Sequence, residues 1–565
     1  MKDSIRRRGA NARRGTAVVL GAGIAGVLAA SVLSRHYAEV IILERDRVPD
    51  RPIDRKGVPQ GRHPHILLRR GEEVIRRLVP GALERLRPRD FTPMDVAREL
   101  RWFHAGVWKA RHDPGFVFHT CNRVRLEHSL RAAVLERANV ELRERHKILD
   151  LALDDAGRVR GVVVVDERAE VQRTIAADVV VDATGRSTRA PRWLAEHGFG
   201  EVPIHEVHSN VGYTTRVFHV PGGNHDLGLP IAVFPDPPRS RRAGIAFPLG
   251  DNGVSVVLAG WCRDYVPRSA EGFLEFARSL DRPELADLLA RARPTPDQHT
   301  FRAKANLWRR YDRLRRWPDG LVVIGDAVTS LNPMYGQGMT IAAVEAETLA
   351  RTLTALARRG ARLEGPGRAR RLQRAIAGVV RFPWALVTSE DLRHPGAVGP
   401  RPRGLALVHA VTSALHQLVA YDRYVHRRMF EILNLMRGPL CLLHPRVLLR
   451  VVLHRLRGAD FLRVLRQASA PLVLADASAA AELPSATAEA APPLASPRPS
   501  PAANAVMKPA SLTFAQWRSV TRDGKLVQLR HAAYLRQLAA RVSAGRGAAR
   551  PGREAARDEA IDEVG

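Results

Sequence analysis

A glycine-bearing turn between two apolar segments is the feature that most constrains the fold. Residues 17–20 are Ala-Val-Val-Leu, and Gly21, Gly23 and Gly26 follow with the spacing GxGxxG. Gly21 permits a tight turn, Gly23 lets the backbone approach a pyrophosphate, and Gly26 lets the next helix pack closely on the sheet. That helix would present free N-terminal amides to phosphate oxygens. The segment predicts the first strand and helix of a dinucleotide-binding domain.

An acidic residue follows the second apolar segment. Residues 40–43 are Val-Ile-Ile-Leu and lead directly to Glu44, where a carboxylate can accept hydrogen bonds from both hydroxyls of an adenosine ribose. A targeting segment is the alternative, because residues 6–14 are basic and residues 17–33 are apolar and small. The glycine spacing and the strand before Glu44 favour the binding loop. We therefore interpret the N-terminus as a short basic arm before a cytoplasmic domain.

Composition narrows the class of protein. The 565 residues suffice for two or three domains, and three cysteines imply no disulfide framework. The formal net charge of +31 would suit nucleic acid. However, only seven of the 89 basic residues are lysines, the arginines are scattered, and aromatic residues are few. We expect no nucleic-acid partner, and the charge favours an anionic membrane surface instead.

A second glycine-bearing segment lies far downstream. Residues 321–324, Leu-Val-Val-Ile, predict a central strand, after which Gly325 turns the chain. The carboxylate of Asp326 can then accept hydrogen bonds from the ribityl hydroxyls of a flavin. The stretch Asn332-Pro-Met-Tyr-Gly-Gln-Gly-Met339 opens a helix whose free amides suit the pyrimidine edge of a reduced flavin. An ordinary strand–turn–helix corner is the alternative, but the two segments together indicate FAD.

The remaining sequence predicts the architecture around this site. Strand-like runs separated by Pro, Gly and Asp fill residues 201–300, which is typical of an antiparallel sheet inserted into a nucleotide domain. We predict an α/β fold: a Rossmann-like FAD-binding domain of the glutathione-reductase type, an inserted antiparallel-sheet substrate domain and a C-terminal helical region. The expected bounds are 15–200 with 300–355 for the FAD-binding domain, 201–299 with part of 76–119 for the substrate sheet, 356–470 for the helical region, and 471–565 for a largely disordered tail with a short helix at 512–542.

Several motifs carry a family resemblance. Asp182-Ala-Thr-Gly185, together with the two glycine segments, resembles FAD-dependent monooxygenases of the para-hydroxybenzoate hydroxylase superfamily. More closely, Gln60-Gly-Arg-His-Pro-His65, Asn332 to Met339 and Ser389-Glu-Asp391 resemble a bacterial branch that includes polyether epoxidases, relatives of squalene epoxidase. The resemblance covers roughly residues 15 to 470.

The resemblance implies a set of cofactor-binding residues. These are Gly21, Gly23, Ile24, Ala25, Gly26, Glu44, Arg45, Arg123, Gly185, Gly325, Asp326, Pro333, Gly336, Gln337, Gly338 and Met339. No catalytic side chain is assigned, because the flavin carries the chemistry. No metal ligand is assigned either, because no Cys/His pattern has zinc-ligand spacing. His63 and His65 lie in a loop expected near the flavin, where they would donate to it, orient substrate or serve a structural role.

The implied function is that of a monooxygenase. A flavin hydroperoxide would transfer one oxygen atom from O2 to an apolar alkene-containing or aromatic small molecule, by epoxidation or hydroxylation, in secondary metabolism. The electron donor is NAD(P)H or a partner reductase, because Asp182 to Ser187 departs from the Asp-Gly motif of relatives that bind NADPH directly. A flavin-dependent reductase of prenyl or isoprenoid double bonds is the alternative, and a non-enzymatic flavin-binding protein is the remote one. Halogenation is disfavoured, because the sequence lacks a Trp-x-Trp-x-x-Pro string.

A basic and apolar stretch near the C-terminus has two interpretations. Residues 423–457 contain many arginines and leucines, and Glu431 is their only acid. They form either a helical cap over the substrate domain or an interfacial helix that contacts a membrane peripherally and admits an apolar substrate. The two interpretations are compatible.

Overall fold

A computed structural model describes residues 14–55, 59–250 and 252–472. Its strands are β1 Thr16–Leu20, β2 Glu39–Leu43, β3 His65–Leu67, β4 Phe91–Met94, β5 Arg101–His104, β6 Val107–Trp108, β7 Phe118–Cys121, β8 Val140–Arg143, β9 His146–Leu153, β10 Val159–Asp166, β11 Val171–Ala176, β12 Val179–Asp182, β13 Ile204–Val207, β14 Val211–His219, β15 Ile231–Val233, β16 Arg242–Leu249, β17 Gly253–Gly260, β18 Arg293–Ala303, β19 Asn306–Arg309, β20 Leu321–Val323 and β21 Thr329–Ser330. Its helices are α1 Ile24–Leu33, α2 Arg69–Leu78, α3 Arg123–Leu135, α4 Ala190–Glu196, α5 Ala270–Arg278, α6 Glu284–Ala290, α7 Gly338–Ala357, α8 Arg368–Asp391, α9 Leu405–Leu418, α10 Arg423–Leu433, α11 Pro445–Arg455 and α12 Gly458–Gln467.

Five parallel strands form the central sheet, in the order β20-β12-β1-β2-β8. Their residues are apolar because helices cover the sheet, and Val18, Val180 and Val322 are fully buried. Helix α1 is apolar nearly all round, since it packs between this sheet and α7. Ligands bind parallel α/β sheets at the carboxyl ends of the strands. Both glycine segments begin at that edge, so the α/β fold class predicted from sequence is confirmed.

The predicted central position of residues 321–324 is wrong. Strand β20 lies at the edge of the sheet, beyond β12, yet its residues are fully buried. Helix α8 supplies the missing hydrogen bonds through one side chain. Gln373 accepts a hydrogen bond from Val323 N at 2.9 Å and donates one to Val323 O at 3.1 Å. A buried edge strand is tolerated here because its outward backbone groups are paired by that amide.

The inserted sheet has seven strands, in the order β18-β14-β17-β16-β15-β5-β6. It is antiparallel except where β15 pairs in parallel with β5. The parallel pair arises because β5 and β6 come from residues 101–108, within the earlier segment expected to contribute. Strand β18 continues to Ala303, so this sheet extends past the expected boundary at residue 299.

The helical region follows α7. Helices α8 to α11 lie within residues 368–455. They confirm the C-terminal helical region that was predicted from the sequence. The described chain divides into two compact units, residues 14–455 with 469–472 and residues 456–468. The second unit consists of α12 and its flanking residues. The predicted tail beyond residue 472, including the expected helix at 512–542, lies outside the described residues.

Candidate functional site

One large cavity connects the carboxyl edge of the central sheet with the inserted sheet. Its volume is about 1210 Å³, and it is lined by residues of both sheets and of helices α8 to α10. Every predicted cofactor-binding residue except Gly26 contributes to its lining. The structure thus brings together segments that lie roughly 300 residues apart in the sequence.

The three glycines of the first segment have different surroundings. Gly21 has φ +98°, and a Cβ there would lie 2.7 Å from the carbonyl oxygen of Ala183. A Cβ on Gly26 would lie 1.9 Å from the carbonyl oxygen of Gly21, so Gly26 is needed for close packing of helix and strand. A Cβ on Gly23 would meet nothing within 4 Å. These distances agree with the packing role predicted for Gly26, whereas its inclusion among the cofactor-binding residues stays a prediction.

The carboxylate of Glu44 is held at the cavity wall by three donors. Ala22 N donates to Oε2 at 2.9 Å, and Asp46 N donates to Oε1 at 3.1 Å. Arg55, which the sequence did not single out, donates to Oε2 at 3.0 Å and pairs with Glu127 at 3.3 Å. Burial opposes the charge on Arg55, but the two carboxylates outweigh it and raise its pKa. These contacts fix the orientation of Glu44.

The turn after β20 presents Asp326 to the cavity. Gly325 has φ +67°, and Arg309 donates to the carbonyl oxygen of Asp326 at 3.2 Å and to that of Arg186 at 2.6 Å. Among the described residues, none donates a hydrogen bond to the Asp326 carboxylate. Burial raises the pKa of Asp326, while Arg123, Arg186 and Arg309 act in the opposite direction. A free carboxylate in this place suits a ligand that carries hydroxyl groups.

The Asp182-Ala-Thr-Gly185 motif is explained by local hydrogen bonds. The fully buried Asp182 accepts from Thr184 N at 2.9 Å, from Thr184 Oγ1 at 2.6 Å and from Thr188 Oγ1. Burial raises the pKa of Asp182, and the threonine donors oppose that rise. The carboxylate is therefore used to shape the turn that ends at Gly185, which has φ +81° and open space around its missing side chain.

Two buried polar side chains support the second glycine segment. Glu345 of α7 accepts a hydrogen bond from Gly325 N, and burial raises its pKa well above the usual value. The Nε2 of Gln337 donates to Leu433 O at 3.3 Å, whereas its Oε1 has no partner among the described residues. The orphaned Gln337 oxygen, the free Asp326 carboxylate and the open space at Gly23 fit a ligand with phosphate, polyol and imide groups. The residues present therefore fit FAD.

Asp391 at the end of α8 ties the loop that contains Asn332 and Tyr335 to the inserted sheet. Its buried carboxylate accepts from Asn332 at 2.9 Å and from the Tyr335 hydroxyl at 3.0 Å. It also accepts from Trp261 at 3.0 Å and from Asn306 at 2.7 Å. Burial raises the pKa of Asp391, and these donors counteract the rise. The sequence offered Asp391 only as part of a family motif, without a role.

The loop histidines lie where the sequence placed them, in the cavity wall. The Nδ1 of His63 is 2.7 Å from Thr215 Oγ1, and the ring packs edge-on against Tyr213. The Nδ1 of His65 is 2.7 Å from the carbonyl oxygen of His63. Burial lowers the pKa of His63 to about 4 and that of His65 to about 3. Both rings are neutral at pH 7, and each has a structural partner.

Three further polar side chains meet in the cavity far from the glycine segments in sequence. The ligand-type atoms of His104, Glu390 and His416 all lie within 4.8 Å of one another, and all three residues line the cavity. No spacing pattern could have revealed them, because they come from β5, α8 and α9. Most of the surrounding wall is apolar, and Met94, Leu100, Trp102, Phe234, Phe247, Leu386 and Phe430 contribute to it.

Comparison with known proteins agrees with this site. The family model described as "FAD binding domain" matches residues 14–381. Protein Rv3254 of Mycobacterium tuberculosis is 32% identical over 406 residues, which are 68% of this chain and 82% of that protein. Kynurenine 3-monooxygenase of Salinispora tropica is 28% identical over 366 residues, which are 61% of this chain and 74% of that enzyme.

A solved structure supports the fold. The flavoprotein/dehydrogenase of Cytophaga hutchinsonii aligns with a TM-score of 0.55 at 15% identity, covering 79% of this chain and 98% of that one. At this identity the likeness concerns the fold alone. The chain belongs to the FAD binding domain family, and it is an FAD-dependent oxidoreductase related to flavoprotein monooxygenases.

Proposed function

We propose that the protein is a monooxygenase that transfers one oxygen atom from O2 to an apolar alkene-containing or aromatic small molecule. The observation that carries this proposal is the single cavity that joins the nucleotide edge of the sheet to an apolar chamber. When bound, FAD supplies the redox chemistry that activates oxygen. An apolar chamber beside it suits a substrate of the same character and keeps water from the reacting atoms.

The chain's own residues would bind and orient the cofactor. The free amides at the start of α1, beside Gly23, would hold the pyrophosphate, and Glu44 would accept the ribose hydroxyls. Asp326 would accept the ribityl hydroxyls, with Arg123 alongside. The segment Gly336 to Met339, at the start of α7, would face the isoalloxazine edge.

Epoxidation and hydroxylation remain the two versions of the reaction. The sequence motifs resembling polyether epoxidases favour an alkene, whereas the relative named kynurenine 3-monooxygenase favours an aromatic ring. Electrons would come from NAD(P)H directly or from a partner reductase. The buried Asp182 and the paired Arg186, which donates to Ala305 O at 2.7 Å, have structural partners of their own. A donor site built on this motif would therefore have to use other residues.

Isotope-labelled oxygen tests the proposed reaction. The purified FAD-loaded protein is reduced anaerobically with dithionite, then mixed with 18O2 and panels of terminal alkenes and phenols. We expect a product carrying one 18O atom, detected by mass spectrometry. A saturated product formed without oxygen would support reduction of a double bond instead. Parallel reductions with NADH, NADPH or a flavin reductase identify the electron donor.

We further propose peripheral membrane contact through residues 440–453. Helix α10 does not take part, because it buries Met429 and Phe430 and forms cavity wall. By contrast Leu440 is 77% exposed and Leu443 62% exposed, and α11 leaves most of its apolar side chains uncovered. Leu442, between the two exposed leucines, lines the cavity. Arginines on this segment would attract an anionic headgroup layer.

Vesicle sedimentation tests the membrane contact. We expect binding to vesicles of phosphatidylcholine with phosphatidylserine, weakened in the double variant Leu440→Ser, Leu443→Ser. The matched control is Leu249→Ser, an equally apolar residue that is 49% exposed on the inserted sheet. Equal binding of both variants would contradict the proposed surface. Among the described residues, no helix is both long and apolar enough to cross a bilayer.

A further inference from the structure

A strongly polar cluster lies among the apolar side chains at the substrate end of the cavity. It consists of His104 at the end of β5, Glu390 near the end of α8 and His416 near the end of α9. The two imidazole rings are 4.4 Å apart, edge to face at 66°. His104 also stacks on Trp102, with ring centroids 5.8 Å apart and planes 9° apart. The cluster is thus held by three separate elements and by aromatic packing.

Side chains behind the cluster fix its position. Lys109 is buried, and its Nζ donates to the carbonyl oxygens of His104 and His416, both at 2.9 Å. Arg393 forms an ion pair with Glu390, with 2.9 Å between Nε and Oε2, and also donates to Ser413. A cluster braced in this way is preorganised before any ligand arrives.

The cluster holds polar atoms that the protein leaves unpaired. The Nδ1 of His104 is buried and has no hydrogen-bond partner among the described residues. Among the residues that the structure describes, none donates a hydrogen bond to Oε1 of Glu390 either. Burial lowers the pKa values of His104 and His416 well below the usual range, so both rings are neutral. Polar atoms left without partners in apolar surroundings are costly unless a ligand pairs with them.

The charges around the cluster define the ligand. Glu390 would repel an anion, while Arg393 would repel a cation. A bare hydrocarbon would leave the Glu390 carboxylate oxygen unpaired, and sites built to bind O–H or N–H groups discriminate strongly against analogues that lack them. We propose that this cluster binds a neutral hydroxyl or N–H group of the substrate. The substrate is then an apolar molecule with one hydrogen-bond donor at a distance from the oxidised carbon.

The inference rests on the proposed function only in taking this cavity as the substrate site. Binding is measured by calorimetry on the FAD-loaded full chain, without reductant, with 10-undecen-1-ol, its methyl ether and 10-undecenoate as probes. We expect the alcohol to bind about tenfold more tightly than the ether, because only the alcohol donates a hydrogen bond to a charged acceptor. The carboxylate should bind more weakly than the alcohol.

Two variants test whether the cluster causes the preference for the alcohol over the ether. Glu390→Gln and His104→Phe should each lower the alcohol-to-ether ratio at least threefold, with the affinity for the ether unchanged. They lie on different elements, so a folding defect in one leaves the other informative. The matched control is Glu347→Gln, which alters a buried carboxylate paired with Arg70 and Arg77 outside the cavity. The control should keep the ratio.

Three results would overturn the proposal. The first is an alcohol that binds no better than the ether, including the case in which neither binds. The second is a ratio that persists in both cluster variants. The third is stoichiometric Zn²⁺ binding to the chain that both variants abolish, because the cluster would then be a metal site. Since no turnover is involved, a failure of oxygen transfer would leave this measurement unaffected.

Discussion

The two halves of the cavity are built by different means. The nucleotide half consists mainly of backbone at two turns, where Gly21 and Gly325 have positive φ angles and Gly23 has open space beside it. The substrate half consists of side chains from β5, α8, α9 and α10, most of them apolar. The backbone geometry of a turn depends on residues that are close in sequence, so the nucleotide half can be predicted from the sequence. The substrate half depends on how distant elements pack and bring their side chains together, so it cannot be predicted in this way.

The largest expected effects distinguish the roles of two glycines at the first turn, Gly26 and Gly23. Gly26→Ala should destabilise the apoprotein by about 3 kcal/mol, because its Cβ would overlap the carbonyl oxygen of Gly21. Gly23→Val should leave the stability of the apoprotein unchanged but lower FAD affinity by about tenfold or more, because its side chain would fill the open space at the start of α1. Urea unfolding and FAD titration measure the two effects. Equal loss of stability in both variants would contradict the distinction.

The next effect concerns Asp326, whose carboxylate receives no hydrogen bond from any of the described residues. Asp326→Ala should lower FAD affinity by about tenfold to a hundredfold, the usual range for a lost hydrogen bond to a charged group. The stability of the apoprotein should not fall, since burial already disfavours this charge. Asp297→Asn, on the exposed face of β18, is the control and should bind FAD normally. Unchanged FAD content in the Asp326 variant would refute the assigned role.

A smaller effect concerns the edge of the central sheet, where Gln373 pairs the backbone of β20. Gln373→Leu should cost about 2 kcal/mol of unfolding free energy, because the N–H and C=O of Val323 would be buried without partners. The neighbouring Arg374→Leu, on the exposed face of α8, should change stability by less than about 0.5 kcal/mol. Denaturant unfolding compares them. Similar values for the two variants would mean that water or backbone movement replaces the glutamine.

The smallest effect is a pH dependence in the substrate half. Burial lowers the pKa of Lys109 to about 7, although Glu390 raises it somewhat. Between pH 7 and the ordinary lysine pKa of about 10.4, the unfolded chain holds a proton that the folded chain has lost, so stability rises with pH. We expect wild type to gain about 1 kcal/mol relative to Lys109→Met between pH 7 and pH 8. Parallel pH profiles would show that Lys109 keeps its proton.

The sequence predicted the nucleotide half well for a physical reason. A tight turn, a close helix–strand contact and a carboxylate at a strand end each require particular residues within a short segment. Hence the strands before Gly21 and Gly325 and the helix after Gly23 all occur where expected. One detail could not be read locally. Strand β20 lies at the edge of the central sheet, where Gln373 of the distant helix α8 pairs the backbone groups of Val323.

The membrane-contact hypothesis shows the same division. The composition of residues 423–457 predicts an apolar and basic surface, but composition does not say which face of each helix is covered. Tertiary packing divides the stretch into cavity wall at Met429 and Phe430 and exposed surface at Leu440 and Leu443. Likewise, the spacing of histidines predicted no cluster, yet β5 and α9 place His104 against His416.

By itself, the sequence determined the α/β class, the dinucleotide turns and the FAD requirement, because glycine at fixed spacing constrains the backbone within one βαβ unit. The sequence also predicted that the two glycine segments form one site, but only the tertiary structure decided that this site opens into an apolar chamber. It alone brought Asp391 to Asn332 and Tyr335 and gathered His104, Glu390 and His416. Those arrangements depend on the packing of helices and strands that lie as far as roughly 300 residues apart in the sequence. No local pattern records such packing.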